Sequence, residues 1–129
     1  MSLFNSLFGS SEEKKEKESK INWIPLQHAG QLDEMIAFSN QKPALIFKHS
    51  TRCSISRFAL KQFENEYDLE DRVDAYFLDL LEYRDISNEI ANRFQVMHQS
   101  PQLLLIKNGE SVYNVSHSDI DAGELVERL

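Results

Sequence analysis

The sequence predicts an α/β protein, a three-layer α/β/α sandwich around a mixed central sheet. From residue 21 onwards, short apolar runs alternate with apolar stripes of helical spacing. That alternation is typical of a mainly parallel sheet covered by helices on both faces. Near the end of the chain, two apolar runs flank Asn108-Gly109, a pair suited to the positive φ of a tight turn. The closing segment should therefore be a hairpin that adds an antiparallel edge.

The strands are predicted from apolar and β-branched runs bounded by polar residues. They are expected within INWIPL (21–26), ALIFKH (44–49), VDAYFLDL (73–80) and the hairpin QLLLIKNGESVYNV (102–115). Pro25 lacks a backbone N–H, which favours an edge position for the first strand. The second run is continuously apolar over its first four residues and is expected to be buried.

Four helices are predicted from apolar residues spaced three or four apart. Their stripes are Leu32, Met35 and Ile36; Ile55, Phe58, Ala59, Phe63 and Tyr67; Ile86, Ile90, Ala91 and Phe94; and Ala122, Leu125, Val126 and Leu129. The first helix should end before Pro43. The third should begin near Asp85, and Ser118 with Asp121 resembles a capping box at the start of the last. The predicted order is β-α-β-α-β-α-β-β-α.

The first 20 residues differ in composition from the rest. Residues 10–20 contain only Ser, Glu and Lys, which cannot bury apolar surface. Ahead of them, Leu3, Phe4, Leu7 and Phe8 recur at helical spacing, but an isolated helix this short is marginal in water. We expect a flexible charged tail over residues 1–20 and one compact domain over residues 21–129.

Composition also limits the compartment and the partners. The longest uninterrupted apolar run has four residues, so no membrane span is expected, and no secretory signal is evident. A single cysteine forms neither an internal disulfide nor a structural zinc site, which favours a reducing, cytoplasmic location. The formal net charge of −7 argues against nucleic-acid binding. The chain is expected to act as a monomer.

The charge is unevenly distributed around that cysteine. No acidic residue lies between Glu34 and Glu64, whereas this window contains Lys42, Lys48, Arg52, Arg57 and Lys61. The window carries +5, which leaves −12 for the rest of a chain of net charge −7. Some window of any sequence must be the most basic, which is the plain explanation for this cluster. Because the window surrounds Cys53, the alternative explanation is a functional site there that binds an anion.

Cys53 follows the second predicted strand and precedes the second predicted helix. In open α/β sheets, sites lie where a strand gives way to a helix, beyond the carboxyl ends of strands. The unpaired N–H groups and the positive dipole of a helix start favour a thiolate over a thiol, as do nearby cations such as Arg52 and Arg57. Cys53 is therefore predicted to be a reactive thiolate. The alternative is a buried structural cysteine, which its polar neighbours Ser50, Thr51, Ser54 and Ser56 disfavour.

Two further positions bear on the thiol. Ser56 stands three residues after Cys53, where a Cys-x-x-Cys protein has its second thiol, so the resolving sulfur must come from outside. The Ser56 hydroxyl either donates to the thiolate or caps the helix, and the sequence permits both. Ser100-Pro101 directly precedes the run QLLLI, in a region expected to face Cys53. A peptide bond before proline can adopt the cis form, and the sequence permits cis or trans here.

The segments HSTRCSISRFALKQFE and VMHQSPQLLLIKNGE resemble the thioredoxin superfamily. More closely, residues 21–129 resemble the monothiol bacilliredoxins, whose active-site stretch is Thr-Arg-Cys-Pro-Ile-Ser. The resemblance implies a thioredoxin fold and a thiol–disulfide oxidoreductase that removes bacillithiol from S-bacillithiolated proteins in redox homeostasis and oxidative stress. It makes Cys53 the nucleophile and bacillithiol a co-substrate, with no permanently bound cofactor and no metal. The supporting residues are Thr51, Arg52, Ser54, Ile55, Ser56, Ser100 and Pro101.

Some features of the sequence bear on how far this resemblance holds. Position 54 is Ser where the family usually has Pro, which adds a backbone N–H near the sulfur and leaves the redox poise open. Arg52 and Arg57 are candidates for contact with the malate carboxylates of bacillithiol, or are ordinary solvated charges.

Two other functions stay open, a monothiol iron–sulfur carrier and a non-catalytic interaction module. In the first, a Gly-Phe pair usually follows the cysteine, whereas this chain has Ser54-Ile55. The four histidines show no metal-ligand spacing.

Overall fold

A computed structural model describes residues 21–69 and 72–129, and the predicted tail at 1–20 lies outside them. Within these residues there are five strands, four α-helices and one short 3₁₀ helix, His117–Asp119. In chain order they are β1 Ile24–Pro25, α1 Gly30–Phe38, β2 Ala44–His49, α2 Ser54–Glu66, β3 Asp74–Asp79, α3 Arg84–Phe94, β4 Gln102–Lys107, β5 Glu110–Ser116 and α4 Ala122–Arg128. This is the predicted order of elements.

The sheet has the strand order β1-β3-β2-β4-β5. Strands β1 and β2 pair with β3 in parallel, whereas β4 is antiparallel to both β2 and β5. The mixed sheet predicted from the sequence is confirmed. It is less parallel than the alternation of strands and helices indicated, because β4 lies beside β2 and runs opposite to it. Strand β2 is central, with hydrogen-bonded neighbours on both sides.

Alternating side chains of β2 enter the two cores of the molecule. Leu45 and Phe47 belong to one core cluster, which includes Phe63 of α2 and Leu125 of α4. Ala44 and Ile46 belong to the other, which includes residues of α1 and α3. All six residues of β2 are buried. The helices thus cover both faces of the sheet, and the period of two along β2 decides which way each of its side chains points.

The hairpin between β4 and β5 turns at the predicted dipeptide. Asn108 has φ of 51° and Gly109 has φ of 77°, both in the left-handed region that a tight hairpin turn requires. The turn is held from outside, since the Gly109 N–H donates to Ser39 Oγ at 2.8 Å and the Asn108 N–H donates to the Ser39 carbonyl at 3.0 Å. The end of α1 is therefore fixed against the hairpin.

Strand β1 is two residues long and lies at the edge of the sheet, as Pro25 predicted. Two sequence expectations need correction. In α2, Phe63 is buried but Ile55 and Phe58 are 58% and 70% exposed, so the predicted stripe is not buried at its N-terminal end. The last helix is capped by Asp121, whose carboxylate accepts from the Gly123 N–H at 2.9 Å, whereas Ser118 lies in the 3₁₀ helix.

None of the helices in the described ranges combines the length and the apolar composition that crossing a membrane requires.

Two phenylalanines of α2 provide a test of this packing. Phe63 is 1% exposed and its ring centroid lies 5.6 Å from those of Phe47 and Tyr67, whereas Phe58 is 70% exposed. We predict that Phe63→Ala lowers the free energy of unfolding by about 3–5 kcal/mol, because a buried aromatic ring is lost. Phe58→Ala should change it by less than about 0.5 kcal/mol. Urea denaturation of both variants measures the difference, and equal losses would contradict the packing.

Candidate active site

Cys53 lies where the central strand gives way to α2, as the sequence predicted. It is the N-cap residue of α2, with extended backbone angles of φ −103° and ψ 122°. Its N–H donates to the Ser50 carbonyl at 3.2 Å, and its own carbonyl accepts from the Arg57 N–H at 3.0 Å. The residue is half-buried and its thiol is free. The first N–H groups of α2 have no acceptor within the helix, so the positive end of the helix lies at the thiol.

Ser56 ties the first turn of α2 to the end of β2. It is fully buried, and its hydroxyl oxygen accepts from the Ser50 N–H at 3.0 Å. The same oxygen lies 2.8 Å from Nδ1 of His49. The two roles that the sequence left open for Ser56 were a bond to the thiolate and a helix cap. The structure shows neither, because Ser56 is instead bonded to the strand that precedes Cys53.

His49 is the side-chain hydrogen-bond partner of the Ser56 hydroxyl. Burial lowers the pKa of His49 below its ordinary value of 6.5, an effect opposed by the nearby Asp79 carboxylate and reinforced by Arg57. The ring is therefore neutral at pH 7, and its Nδ1 is able to accept the Ser56 proton while Nε2 carries the ring hydrogen. The imidazole also packs against Phe77, with ring centroids 5.4 Å apart. No motif in the sequence points to this role of His49, because it depends on how Ser56 folds back onto the end of β2.

The two arginines near the thiol lie in different surroundings. Arg57 donates from Nη1 to the Thr51 carbonyl at 3.2 Å and so braces the turn before Cys53. Arg52 lines an open cavity of about 410 Å³ together with Thr51, Leu81 and the carboxylates of Asp79 and Glu82. This cavity, here named the polar basin, is of mixed charge, so the basic window of the sequence does not form a uniformly basic surface.

A second cavity lies beside the N-terminal part of α2. It has a volume of about 600 Å³ and is lined by Ser54, Ile55, Phe58, His117 and Ser118. We name it the apolar cavity, because Ile55 and Phe58 supply large exposed hydrocarbon surfaces. Ser54, which lines it, is the residue that follows Cys53 in the chain, and Arg52, which lines the polar basin, is the residue that precedes it. The chain neighbours of Cys53 therefore line two different surfaces.

The Ser100–Pro101 peptide bond, which the sequence left open, is cis. The Pro101 carbonyl accepts from the N–H of His117 at 3.0 Å, and His117 lines the apolar cavity. In the pairing of β2 with β4, Lys48 is opposite Gln102, so one further step of the register brings Pro101 beside His49. The Ser100 hydroxyl is buried and has no hydrogen-bond partner in the described part of the chain.

Lys48 occupies an interior position that the sequence did not indicate. The basic window suggested a cation near the thiol, but the side chain of Lys48 is fully buried. Its Nζ donates to the Ser87 carbonyl at 3.3 Å and lies 3.2 Å from Nδ1 of His98. The two-residue period of Ala44, Ile46 and Lys48 is the signal that would have placed it on the same face of the sheet as α1 and α3.

Metal-binding residues do not converge in the described ranges: across 21–69 and 72–129, no three His, Cys, Asp or Glu side chains are arranged to hold an ion.

Comparison with known proteins gives a family and a fold. Residues 24–125 match the model of a family described as monothiol bacilliredoxin BrxC. A solved structure assigned as an oxidoreductase with a thioredoxin fold is 36% identical, with a TM-score of 0.70 over 81% of this chain and 91% of that one. Thioredoxin NaTrxh from Nicotiana alata is 20% identical, with a TM-score of 0.62 over 84% and 90% of the two chains. Fasciola hepatica thioredoxin is also 20% identical, with a TM-score of 0.60 over 81% and 93%.

The bonds of Ser56 generate a prediction about stability. Ser56→Ala leaves the buried Nδ1 of His49 and the N–H of Ser50 without their shared partner, so the free energy of unfolding should fall by about 1–3 kcal/mol. Ser54→Ala, in the same helical turn but exposed, should change it by less than about 0.5 kcal/mol. Denaturant titration compares the two variants with the wild type. A Ser56→Ala protein as stable as the Ser54→Ala protein would be inconsistent with these bonds.

Proposed function

The chain belongs to the monothiol bacilliredoxin BrxC family, and from that membership we propose that it removes bacillithiol from S-bacillithiolated proteins in the cytoplasm. The family and its thioredoxin-fold neighbours support a monothiol redox protein acting as a thiol–disulfide oxidoreductase. The observation that carries the proposal is the placement of the only thiol, Cys53, at the N-cap of α2. Bacillithiol is then a co-substrate and not a resident cofactor, and the protein acts as a monomer.

The first step is nucleophilic attack by the Cys53 thiolate on the bacillithiol sulfur of a protein mixed disulfide. The bond between the protein sulfur and the bacillithiol sulfur breaks, and a bond between Cys53 Sγ and bacillithiol forms. The protein thiolate leaves and takes up a proton, so the target protein is reduced. The N–H groups at the start of α2 favour the attacking anion through their partial positive charge.

The second step needs a sulfur that this chain does not possess. Ser56 occupies the position of a resolving cysteine, and its oxygen is committed to His49 and Ser50 inside the fold. A second bacillithiol thiolate must therefore attack the bacillithiol bound at Cys53. That exchange releases oxidised bacillithiol and restores the Cys53 thiolate. One disulfide enters the cycle and one leaves, so the second bacillithiol is the only reductant that the cycle consumes.

The two surfaces beside Cys53 are suited to different parts of the substrate. The polar basin presents the guanidinium of Arg52, which is able to pair with the malate carboxylates of bacillithiol. The apolar cavity presents Ile55 and Phe58 and is suited to apolar side chains of the target protein. Arg57 is tied to the Thr51 carbonyl, so of the two arginines Arg52 is the better candidate for contact with the small thiol.

The proposal predicts that Cys53→Ser lowers release of bacillithiol from a bacillithiolated protein to the rate seen with free bacillithiol alone, since the variant has no thiol. Release is followed by the mass of the target protein, with free bacillithiol present in excess. The variant should unfold at nearly the same temperature as the wild type, which serves as the control for folding. Release at the wild-type rate by Cys53→Ser would exclude this mechanism.

The role of Arg52 predicts a dependence on which small thiol is transferred to Cys53. Arg52→Gln should lower kcat/KM for a bacillithiol mixed disulfide by about two- to fivefold, the range expected for an exposed ion pair. It should leave kcat/KM for the corresponding cysteamine mixed disulfide unchanged, because cysteamine has no carboxylate. Steady-state kinetics with the two substrates measure both values. Equal losses with the two substrates would show that Arg52 does not recognise the carboxylates.

A further inference from the structure

Lys48 is an ammonium group buried without a carboxylate. Its side chain has no exposed surface, and its two contacts, the Ser87 carbonyl and Nδ1 of His98, are uncharged acceptors. None of the salt bridges within residues 21–69 and 72–129 includes Lys48. Burial lowers the pKa of Lys48 to about 8, which reflects the loss of solvation of its charged form.

Stability does not explain a lysine at this position. A buried charge is held at the expense of its hydration, and an apolar side chain of similar volume is often as stabilising or more so. The surroundings favour such a replacement, because Lys48 follows Ala44 and Ile46 on a face of β2 that is otherwise an apolar core. What the lysine adds is a set of directed N–H donors.

Those donors reach the segment that leads from α3 into the cis peptide bond. Lys48 contacts His98, and Ser87 Oγ lies 3.3 Å from the same ring nitrogen. Gln102, which is opposite Lys48 in the sheet and 1% exposed, donates to the Met97 carbonyl at 3.1 Å and accepts from the Gln99 N–H at 3.4 Å. Residues 97–101 are here named the proline segment. Three buried polar side chains contact this segment: Lys48, Ser87 and Gln102.

At the far end of the proline segment, the buried Pro101 is joined to a residue of the wall of the apolar cavity. The Pro101 carbonyl is bonded to His117, which lines the apolar cavity together with Ser54 and Ile55. A displacement at His98 would therefore be transmitted over three residues to the wall of the site. A displacement of a reacting group by less than a bond length is enough to slow a reaction, even when the substitution that causes it is remote from the reacting atoms.

We propose that Lys48 is a positioning residue for thiol–disulfide exchange: by donating to Nδ1 of His98 it holds the proline segment where that segment meets a disulfide at Cys53. The inference rests on the exchange chemistry of the proposed function and not on its selectivity for bacillithiol. Attack on a disulfide needs a bound, aligned substrate, whereas alkylation by a small reagent needs only the thiolate. The two reactions therefore separate the position of the segment from the reactivity of the sulfur.

The contact between Lys48 and His98 also requires a neutral imidazole. Burial and the charges that face the ring, Lys48 of β2 and Arg84 of α3, lower the pKa of His98 below its ordinary value of 6.5. Once His98 is protonated at lower pH, both partners are donors and carry like charges, so the contact is lost. Exchange by the wild type should therefore decline relative to alkylation as the pH falls through this range.

The experiment compares two rate constants of Cys53 in the full chain, exchange with hydroxyethyl disulfide and alkylation by iodoacetamide, both followed by mass spectrometry. Lys48→Met should lower the exchange rate constant by about tenfold, within the range that misplacement produces, and change alkylation by less than about twofold. Its thermal midpoint should equal or exceed that of the wild type. Lys61→Met, which removes an exposed lysine of α2, should leave the ratio of the two rate constants unchanged.

Substitution of His98 supplies an independent pair of variants. His98→Gln retains a side-chain acceptor for Lys48 but cannot be protonated, so its exchange-to-alkylation ratio should equal the wild-type value at pH 7 and stay constant on acidification. His98→Phe has no acceptor and should resemble Lys48→Met. This pair decides the question if Lys48→Met does not fold.

Two results would overturn the proposal: an unchanged ratio in Lys48→Met or His98→Phe, or a parallel loss of exchange and alkylation, which would place the effect on the thiolate itself. Both reagents lack bacillithiol, so a failure of bacillithiol selectivity would leave these measurements interpretable.

Discussion

The hydrogen bonds that join Ser56 to His49 and Ser50 are the interaction on which the site depends. They link the first turn of α2 to the carboxyl end of β2, the strand with neighbours on both sides. Cys53 lies within the loop that these bonds close, so its position relative to the sheet is set by groups that are themselves buried. Burial lowers the pKa of His49, which favours the neutral ring, whose Nδ1 is able to accept the Ser56 proton.

The same bonds explain why a disulfide formed at Cys53 is not resolved within this site. In a protein with two active-site cysteines, the residue three positions after the nucleophile carries the second sulfur. Here a hydroxyl occupies that position and is turned into the fold, where it contributes to structure. Cys53 is left at the positive end of a helix, and its two neighbours in the chain, Arg52 and Ser54, line open cavities. Such a site is able to form a mixed disulfide, but its release requires an external thiol.

Much of the fold could be predicted from the sequence, because it depends on local signals. The strand at 44–49, the turn at Asn108-Gly109 and the third helix follow from apolar period and from the φ preferences of single residues. The strand–helix junction that places Cys53 was also predictable. The antiparallel direction of β4 was not, since it is set by which strand it pairs with. Exposure of Phe58 was missed for a similar reason: an apolar stripe does not show where the packed surface ends.

The roles of the buried residues around the site could not be predicted from the sequence. Roles for Ser56, His49 and Lys48 depend on distances between segments that are separated in sequence, and single residues of these types give no periodic signal. Lys48 was one of five cations in a basic window, yet its side chain is fully buried and contacts His98, fifty positions later in the chain. A polar residue that continues the inward phase of a buried strand is the kind of exception that indicates a role beyond stability.

The central claim is that Cys53 carries bacillithiol as a reaction intermediate, and the mass of the intact protein tests it most directly. After the protein is mixed with oxidised bacillithiol and the excess is removed, the chain should gain the mass of one bacillithiol at Cys53. Free bacillithiol should then return it to its original mass. If no adduct forms on a folded protein, or if an adduct forms that free bacillithiol does not remove, the account is contradicted.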